Sequence, residues 1–414
     1  MSQEEKTISQ GASGVKKYSV MMSVICGFML SMGAIHMDTI NWILPKIASS
    51  LSTGNSTLMV TSGFFYGMMI GHVLVGPISD MIGKKKTMLI GFILCIIGAA
   101  IGANSGSLTG LIAARMIQGI GGAATSNAAR AVGGDAGKGQ ASAFALAFMQ
   151  IFSGAIPIIL PLTGKWVGNT WDWTAIFWLQ AIICIVLALL MEIFVKETSV
   201  TMGKGCFKKM ASDFKSCLLS TEYLMFAFCF AFNMALFFCY AGSASFAMVT
   251  ELGMDNNAYA NMYAINAAMM VPGGILAGVL ARKAKPQHTI RVLNTCQMII
   301  AVIISAMFMT GNAHYQVLQF VWWVFPFIQG MTLPTALALG LNASGNVTGS
   351  GAAFMGFVQY VFSSITTTIL ASIKSTGSIG SVIGWIMAIC ALMSIIFCTI
   401  GINLLKKHNP DAVA

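Results

Sequence analysis

Charge is what this sequence has least of. Of 414 residues only 9% are Asp, Glu, Lys or Arg, whereas 57% are hydrophobic. An ordinary soluble domain carries about 25% charged residues. A water-soluble chain of this length needs polar surface for two or three domains, and this composition cannot provide it. Proline is scarce too, with 9 residues, and the 43 glycines follow no period, which excludes a collagen-like or low-complexity chain. The ten cysteines form no C-x-x-C pair. Eight lie in apolar stretches and two, Cys206 and Cys217, in one basic segment, so neither a disulfide framework nor a metal site is expected. There is no G-x-x-x-x-G-K-[ST], H-E-x-x-H or G-x-S-x-G, which argues against direct ATP drive and against intramembrane hydrolysis. No cofactor is expected, and no enzyme. Regularly spaced arginines are missing as well, so a voltage sensor is not expected. The polar leader runs into an apolar stretch too long for a cleavable signal.

Long apolar runs are abundant. A spanning helix takes about 20 mostly apolar residues, and twelve windows qualify. Six precede the one long polar interruption: Tyr18–Leu44, Thr57–Gly76, Thr87–Ala103, Leu108–Ala129, Ala141–Thr163 and Trp173–Val195. Six follow it: Glu222–Ser243, Tyr259–Ala281, Thr289–Thr310, Tyr315–Leu341, Gly351–Ile373 and Ser378–Leu405. The expected fold is an all-α membrane protein of twelve transmembrane helices in two pseudo-symmetric six-helix bundles. Residues 1–195 form the first, 196–221 a central cytoplasmic loop, and 222–414 the second.

The net charge of +10 raises the question of a nucleic-acid partner. No polar segment offers a basic face interleaved with aromatics, so none is expected. With the N-terminus placed in the cytoplasm, 19 of the 23 basic residues fall in cytoplasmic segments, including Lys6, Lys16, Lys17, Lys84 to Lys86, Lys138, Lys204, Arg282, Lys406 and Lys407. Only Lys46, Lys165 and Lys374 face outward, and Arg115 lies inside a helix. Positive residues concentrate on the cytoplasmic side of membrane proteins, so both termini and the central loop are expected there.

The densest basic run belongs to a patterned loop, Gly76-Pro-Ile-Ser-Asp80-Met-Ile-Gly83-Lys84-Lys85-Lys86, between the second and third helices. Gly274-Ile-Leu-Ala-Gly278-Val-Leu-Ala-Arg282-Lys283 stands at the corresponding place in the second half, with glycines and bases kept and the acid lost. Parallel six-helix repeats with a site between them describe a common transporter architecture. Topology alone explains the lysines but not the spaced Gly76, Asp80 and Gly83. A gating loop explains both: Asp80 can cap or pair at a helix end, and the lysines meet the anionic inner leaflet and can pair with acids in one conformation only. Arg130, at the inner end of the fourth helix, is grouped with this gate.

The loop resembles the G-x-x-x-D-[RK]-x-G-[RK]-[RK] signature of the major facilitator superfamily, with Met81 in place of the usual base. Arg115-Met-Ile-Gln118-Gly119 on the fourth helix is similar to a second signature of that family, R-x-x-Q-G. Pro157, Pro161 and Gly164, followed by Trp171, Trp173 and Phe177, resemble a run found in drug:proton antiporters of the bicyclomycin-resistance type, as does Gly349–Gln359 on the eleventh helix. The resemblance implies a proton-coupled transporter whose first and fourth helices line a central cavity, with Arg115 at the place of the family's cavity arginine.

A charge in lipid costs several kcal/mol and is seldom kept without use. Asp38 lies six residues before the outer end of the first helix at Leu44, and Arg115 six residues after Thr109. Six residues at about 1.5 Å each put both about 9 Å below the outer boundary. Asp38 is expected to take a proton from one side and release it to the other, with Arg115 as its partner. The plainer alternative is a fixed ion pair that orders the bundle. Arg115 serves equally well as a donor to backbone carbonyls. Glu192 is expected at the interface, while His36 and His72 are expected to pack helices.

The second half has no acid or base deep in a helix. It offers Asn233, Tyr240, Asn261, Tyr263, Asn266, Trp322, Trp323, Gln329, Gln359 and Tyr360. Amides and aromatics beside many methionines suit sizeable, partly apolar ligands. Tyr240, Asn266 and Gln359, with Asp38, Arg115 and Gln118, are the expected substrate-binding residues. The expected function is secondary active transport by alternating access, most simply efflux of small organic compounds in exchange for protons. Uptake of an anionic metabolite or a metal-chelating compound is the alternative, and a non-transporting receptor a remote one. The expected setting is a monomer in a bacterial inner membrane, with small-molecule substrate, protons and lipid as its partners.

Overall fold

Lipid offers a backbone no hydrogen-bond partner but itself, and almost every residue seen in the computed structural model is accordingly helical. The structure describes residues 20–135, 140–198, 206–281, 283–344, 348–373 and 378–408. Lys6, Lys16, Lys17, Lys138, Lys204, Arg282 and Lys374 lie outside these described residues.

The first half comprises α1 (Val20–Leu30), α2 (Met32–Asn41), α3 (Leu44–Leu51), α4 (Met59–Ile82), α5 (Lys84–Ala103), α6 (Leu108–Gly134), α7 (Gln140–Thr170) and α8 (Thr174–Phe194). The central segment carries α9 (Cys206–Leu219). The second half comprises α10 (Thr221–Ser245), α11 (Asn256–Leu280), α12 (Pro286–Met309), α13 (Tyr315–Ala343), α14 (Thr348–Ser372) and α15 (Ile379–His408). Ten of these are long and apolar enough to span a bilayer, and α1 with α2 forms an eleventh span bent by 43°. The twelfth, α6, is long enough but carries Arg115, Arg130 and a run of glycine, alanine and short polar residues in place of larger apolar ones. Ile93, Ile182, Leu189, Ile275, Val292 and Ile389 are exposed around the perimeter, as a lipid-facing surface requires.

Two local departures from the sequence expectation have simple causes. Tyr18–Leu44 is not one helix. The Ser31 hydroxyl and the Ser31 amide both donate to the Phe28 carbonyl, at 2.8 and 3.2 Å, which tightens the turn and breaks the ladder there. A second break at Trp42 and Ile43 precedes α3, which starts with a proline in its first turn. The central segment is not all loop either: α9 is amphipathic, and its Phe214 and Cys217 pack against Tyr223 and Phe354 of the second half.

Glycine sets the closest crossings, and it does so twice. Gly67 of α4 faces the Met116 carbonyl of α6, while Gly119 of α6 faces the Phe64 carbonyl of α4. Gly273 of α11 and Gly330 of α13 repeat the arrangement, meeting the carbonyls of Phe327 and Met270. Both pairs join the second and fourth spans of their own half. Small residues let backbones approach where lipid supplies no hydrophobic drive for association, so the repeat seen in the loops is also a repeat in packing.

Candidate functional site

Lys84, Lys85, Lys196, Lys406 and Lys407 share one end of the bundle, called here the basic end. The two halves meet along a seam formed mainly by α4 against α14 and by α7 against α11. Polar links across it gather toward the far end. Ser62 donates to Thr367 at 2.8 Å, Tyr66 and Thr368 share a hydrogen bond of 2.9 Å, and Lys165 donates to Asn261 at 3.1 Å. Asn169 bonds Asn257 beside them. Below these, a shallow apolar crevice of about 290 Å³ opens between Ile158 and Leu162 of α7 and Ala264, Ile265 and Ala268 of α11.

Asp38 lies in this seam. It is the only buried carboxylate among the described residues, at 8% exposure. The Tyr263 hydroxyl of α11 donates to its Oδ1 at 2.9 Å, so a residue of one half holds the acid of the other. Asn41 donates to the same tyrosine oxygen at 3.5 Å. Tyr259 packs 6.1 Å from Tyr263, ring centre to ring centre. Nearby in α10, Tyr240 accepts a hydrogen bond from Asn266 and sits edge-on to Trp322 and Phe325. The side-chain oxygens of Asn41, Asn266 and Gln359 are buried without a hydrogen-bond partner among the described residues. This end of the seam is therefore rich in acceptors and aromatic faces.

Arg115 faces a different way. It is 1% exposed and is the only buried lysine or arginine among the described residues. Its guanidinium lies 4.5 Å over the Phe64 ring, donates to Gln118 Oε1 at 2.9 Å and reaches Met37 Sδ at 4.0 Å. Gln118 Nε2 passes the chain on to Gln180 Oε1 at 2.9 Å, and Gln180 Nε2 donates to Thr39 at 2.6 Å. Arg115 is not the partner of Asp38 in this conformation, and the alternative of a fixed ion pair between them is not seen: the two charges come from neighbouring helices but each has its own partners. The depth argument that pairs Asp38 with Arg115 applies equally to Tyr263, eight residues into α11. Gln180 gives no comparable signal in an apolar helix.

At the basic end the loop between α4 and α5 turns at Gly83, whose φ of +94° only glycine adopts without strain. The first amides of α5 need acceptors. Glu197 supplies them, taking the amide protons of Lys84 and Lys85 at 3.1 and 3.0 Å. Lys84 pairs with Asp135 at the end of α6, and Lys85 with Glu192 of α8 at 2.8 Å. Thr198 donates to the same Asp135. Asp80 is exposed, and no ion pair among the described residues includes it. The lysine side chains pair with acids of their own half, Asp135 and Glu192, while Glu197 of the central segment takes their amides. Gly76 is exposed and has open space where a side chain would project. Arg130 is exposed near the basic end of α6.

The profile of the Major Facilitator Superfamily matches residues 21–367. Among curated proteins, the uncharacterized MFS-type transporter YdgK of Bacillus subtilis is 23% identical over 367 residues, covering 87% of this chain and 90% of that one. A bicyclomycin resistance protein homolog of Haemophilus influenzae is 22% identical over 84% of this chain and 89% of its own length. Multidrug resistance protein D of Escherichia coli is 21% identical over 83% and 86%. Among solved structures, the xylose transporter XylE from E. coli in a partially occluded inward-open conformation superimposes with a TM-score of 0.72 at 13% identity, covering 92% of this chain and 97% of that one.

Proposed function

Because this chain belongs to the Major Facilitator Superfamily, and so is a multi-pass membrane transporter, we propose that it expels small organic compounds in exchange for protons. Residues 1–195 and 222–414 form the two rocking bodies, and residues 196–221 link them. The basic end faces the cytoplasm, in keeping with the charge bias of short loops. In a bacterium the setting is the inner membrane, the proton gradient supplies the energy without any cofactor, and the monomer suffices.

The observation that carries the reading is Asp38, a buried acid held across the seam by a hydroxyl of the other half. The seam must part at this end for the site to open outward. Parting separates Asp38 from Tyr263 and lets the carboxylate exchange a proton with the far side. Reclosure on a protonated acid carries that proton inward. Substrate and proton then compete for the same acceptors, which is the coupling an antiporter needs. Tyr240, Asn266 and Gln359 supply the neighbouring polar contacts, and Arg115 with Gln118 orders the helix that carries Asp38. The direction follows the relatives named for drug resistance. One feature favours uptake of an anionic compound instead: Arg115 Nε is buried with no acceptor among the described residues.

Counterflow in proteoliposomes with an imposed pH gradient separates these readings. Asp38→Asn is expected to abolish pH-driven flux while ligand binding survives in part. Undiminished coupling in Asp38→Asn refutes the assignment, and substrate accumulation along an inward proton gradient refutes the direction.

A further inference from the structure

Three residues that the transport reading leaves unused meet in the first half. His36 of α2, Cys95 of α5 and Cys184 of α8 are all buried, and their ligand atoms lie within 4.8 Å of one another. His36 Nε2 is 3.9 Å from Cys184 Sγ. No sequence spacing announces the cluster, because its members are 59 and 89 residues apart. We propose that His36, Cys95 and Cys184 form a binding site for one soft monovalent metal ion of the copper(I) class.

Geometry comes first. Metal–sulfur and metal–nitrogen bonds of about 2.3 and 2.0 Å, arranged in a trigonal plane, set ligand atoms about 3.5 to 4.0 Å apart. The His36–Cys184 separation of 3.9 Å lies in that range and no pair exceeds 4.8 Å, so an ion requires the side chains to contract by about 1 Å at most. The histidine is also prepared for the role. Arginine can only donate hydrogen bonds, so the oxygen of Gln118 must face Arg115 and its amide group must face Gln180. That makes Gln180 Oε1 an acceptor, and His36 Nδ1, 3.4 Å from it, must carry the ring proton. The Nε2 lone pair then points at the sulfurs. Metal-binding histidines ordinarily have their second nitrogen fixed in this way, and removing the fixing partner weakens metal binding about 10- to 100-fold.

Charge and ligand number select the ion. Binding releases one proton from each thiol, so copper(I) plus two thiols gives a complex of charge −1 and two protons to solvent, with no change of oxidation state. Arg115 lies within electrostatic reach of Cys95 and balances that charge. A zinc ion on the same three ligands would leave Arg115 uncompensated and would lack the fourth ligand it takes in closed sites. Soft thiolates suit copper(I) as well as zinc, and the three-ligand count and the charge balance favour the former. His36 and Asp38 are two residues apart on α2 and so project to different sides, which keeps the metal ligands apart from the seam.

The test uses reduced, full-length protein in detergent, titrated with copper(I) in competition with a chromogenic copper(I) chelator. Wild type is expected to hold one equivalent more than Cys95→Ala/Cys184→Ala. Cys229→Ala/Cys398→Ala, which removes another close thiol pair, is expected to retain that equivalent. Gln180→Met should weaken it about 10- to 100-fold. X-ray absorption at the copper edge needs no variant and should report two sulfurs and one imidazole nitrogen. Equal binding by wild type and Cys95→Ala/Cys184→Ala, a copper shell without imidazole, or retention of zinc but not copper(I) would each overturn the proposal.

Discussion

Replacing Tyr263 by Phe removes one oxygen from the seam and nothing else. That oxygen donates to Asp38 at 2.9 Å and accepts from Asn41 at 3.5 Å, and only the first is a strong contact. A hydrogen bond to a charged group contributes about 1.5–3 kcal/mol net, and one to a neutral group about 0.5–1.5. In the proposed alternating-access cycle the bond exists only while the far end is closed, so its loss is expected to shift the balance toward the open form by that amount. With Asp38 ionised the shift is about 10- to 100-fold, and with Asp38 protonated it falls to a few-fold, since about 1.4 kcal/mol is a factor of ten. Distances between spin labels carried on non-cysteine residues at Asp172 and Asn312, both exposed at the far end of opposite halves, report the population directly. The expected outcome is a growing long-distance component in Tyr263→Phe that shrinks on acidification. In an Asp38→Asn background the same substitution should add little, because residues in one hydrogen bond are not additive. An unchanged distance distribution at every pH, or full additivity with Asp38→Asn, would refute the view that this bond latches the halves.

Three further outcomes follow from the packing. Gly67→Val drives a side chain into the Met116 carbonyl and should abolish monodisperse protein on size exclusion, whereas Gly76→Ala enters open space and should leave thermal stability within about 0.5 kcal/mol of wild type. Glu197→Ala strips the acceptors from the first amides of α5 and should cost about 1 kcal/mol, whereas Glu192→Gln, which breaks a half-exposed pair, should cost less than about 1 kcal/mol; thermal melts of the two in parallel check the difference. Burial pushes the Cys217 thiol on α9 above its ordinary range, with Asp213 adding to the effect and Tyr223 opposing it. Maleimide labelling at Cys217, read by peptide mass spectrometry, should therefore be slow at pH 7.5 and accelerate only in more alkaline buffer than an exposed thiol needs.

Helix placement was legible because hydrocarbon imposes a length and a composition together. The windows ending at Ala103 and Leu341 lie within two residues of the observed ends of α5 and α13. Breaks were not legible. A serine in an apolar helix usually bonds back without consequence, and only the structure reveals that Ser31 interrupts the ladder. The amphipathic α9 was hidden by its charge, since a search for apolar runs passes over a helix with one wet face. Asp38 and Arg115 stood out through sheer scarcity of charge, but their partners did not. Tyr263 is one of several aromatics in the second half, and Gln180 one polar residue in an apolar run. What selects them is juxtaposition across helices, which a single sequence does not encode locally. The cluster of His36, Cys95 and Cys184 is hidden for the same reason.

The tethers at the basic end bear on stiffness. Lys84, Lys85 and Glu197 bind the ends of α5, α6 and α8 to one another, like a hoop around staves. A hoop resists splaying without resisting rotation of the whole. With 27 residues, α6 is about 40 Å long. A 10° tilt about its middle therefore carries each end about 3.5 Å, provided the helices tilt together. At the depth of Asp38, about 9 Å below that end, the travel is about 2 Å, which takes its 2.9 Å bond to Tyr263 past hydrogen-bonding distance. A small rotation applied anywhere along a hooped half is thus enough to unfasten Asp38 from Tyr263 about 30 Å away, and a half without its hoop would spend the same rotation on bending.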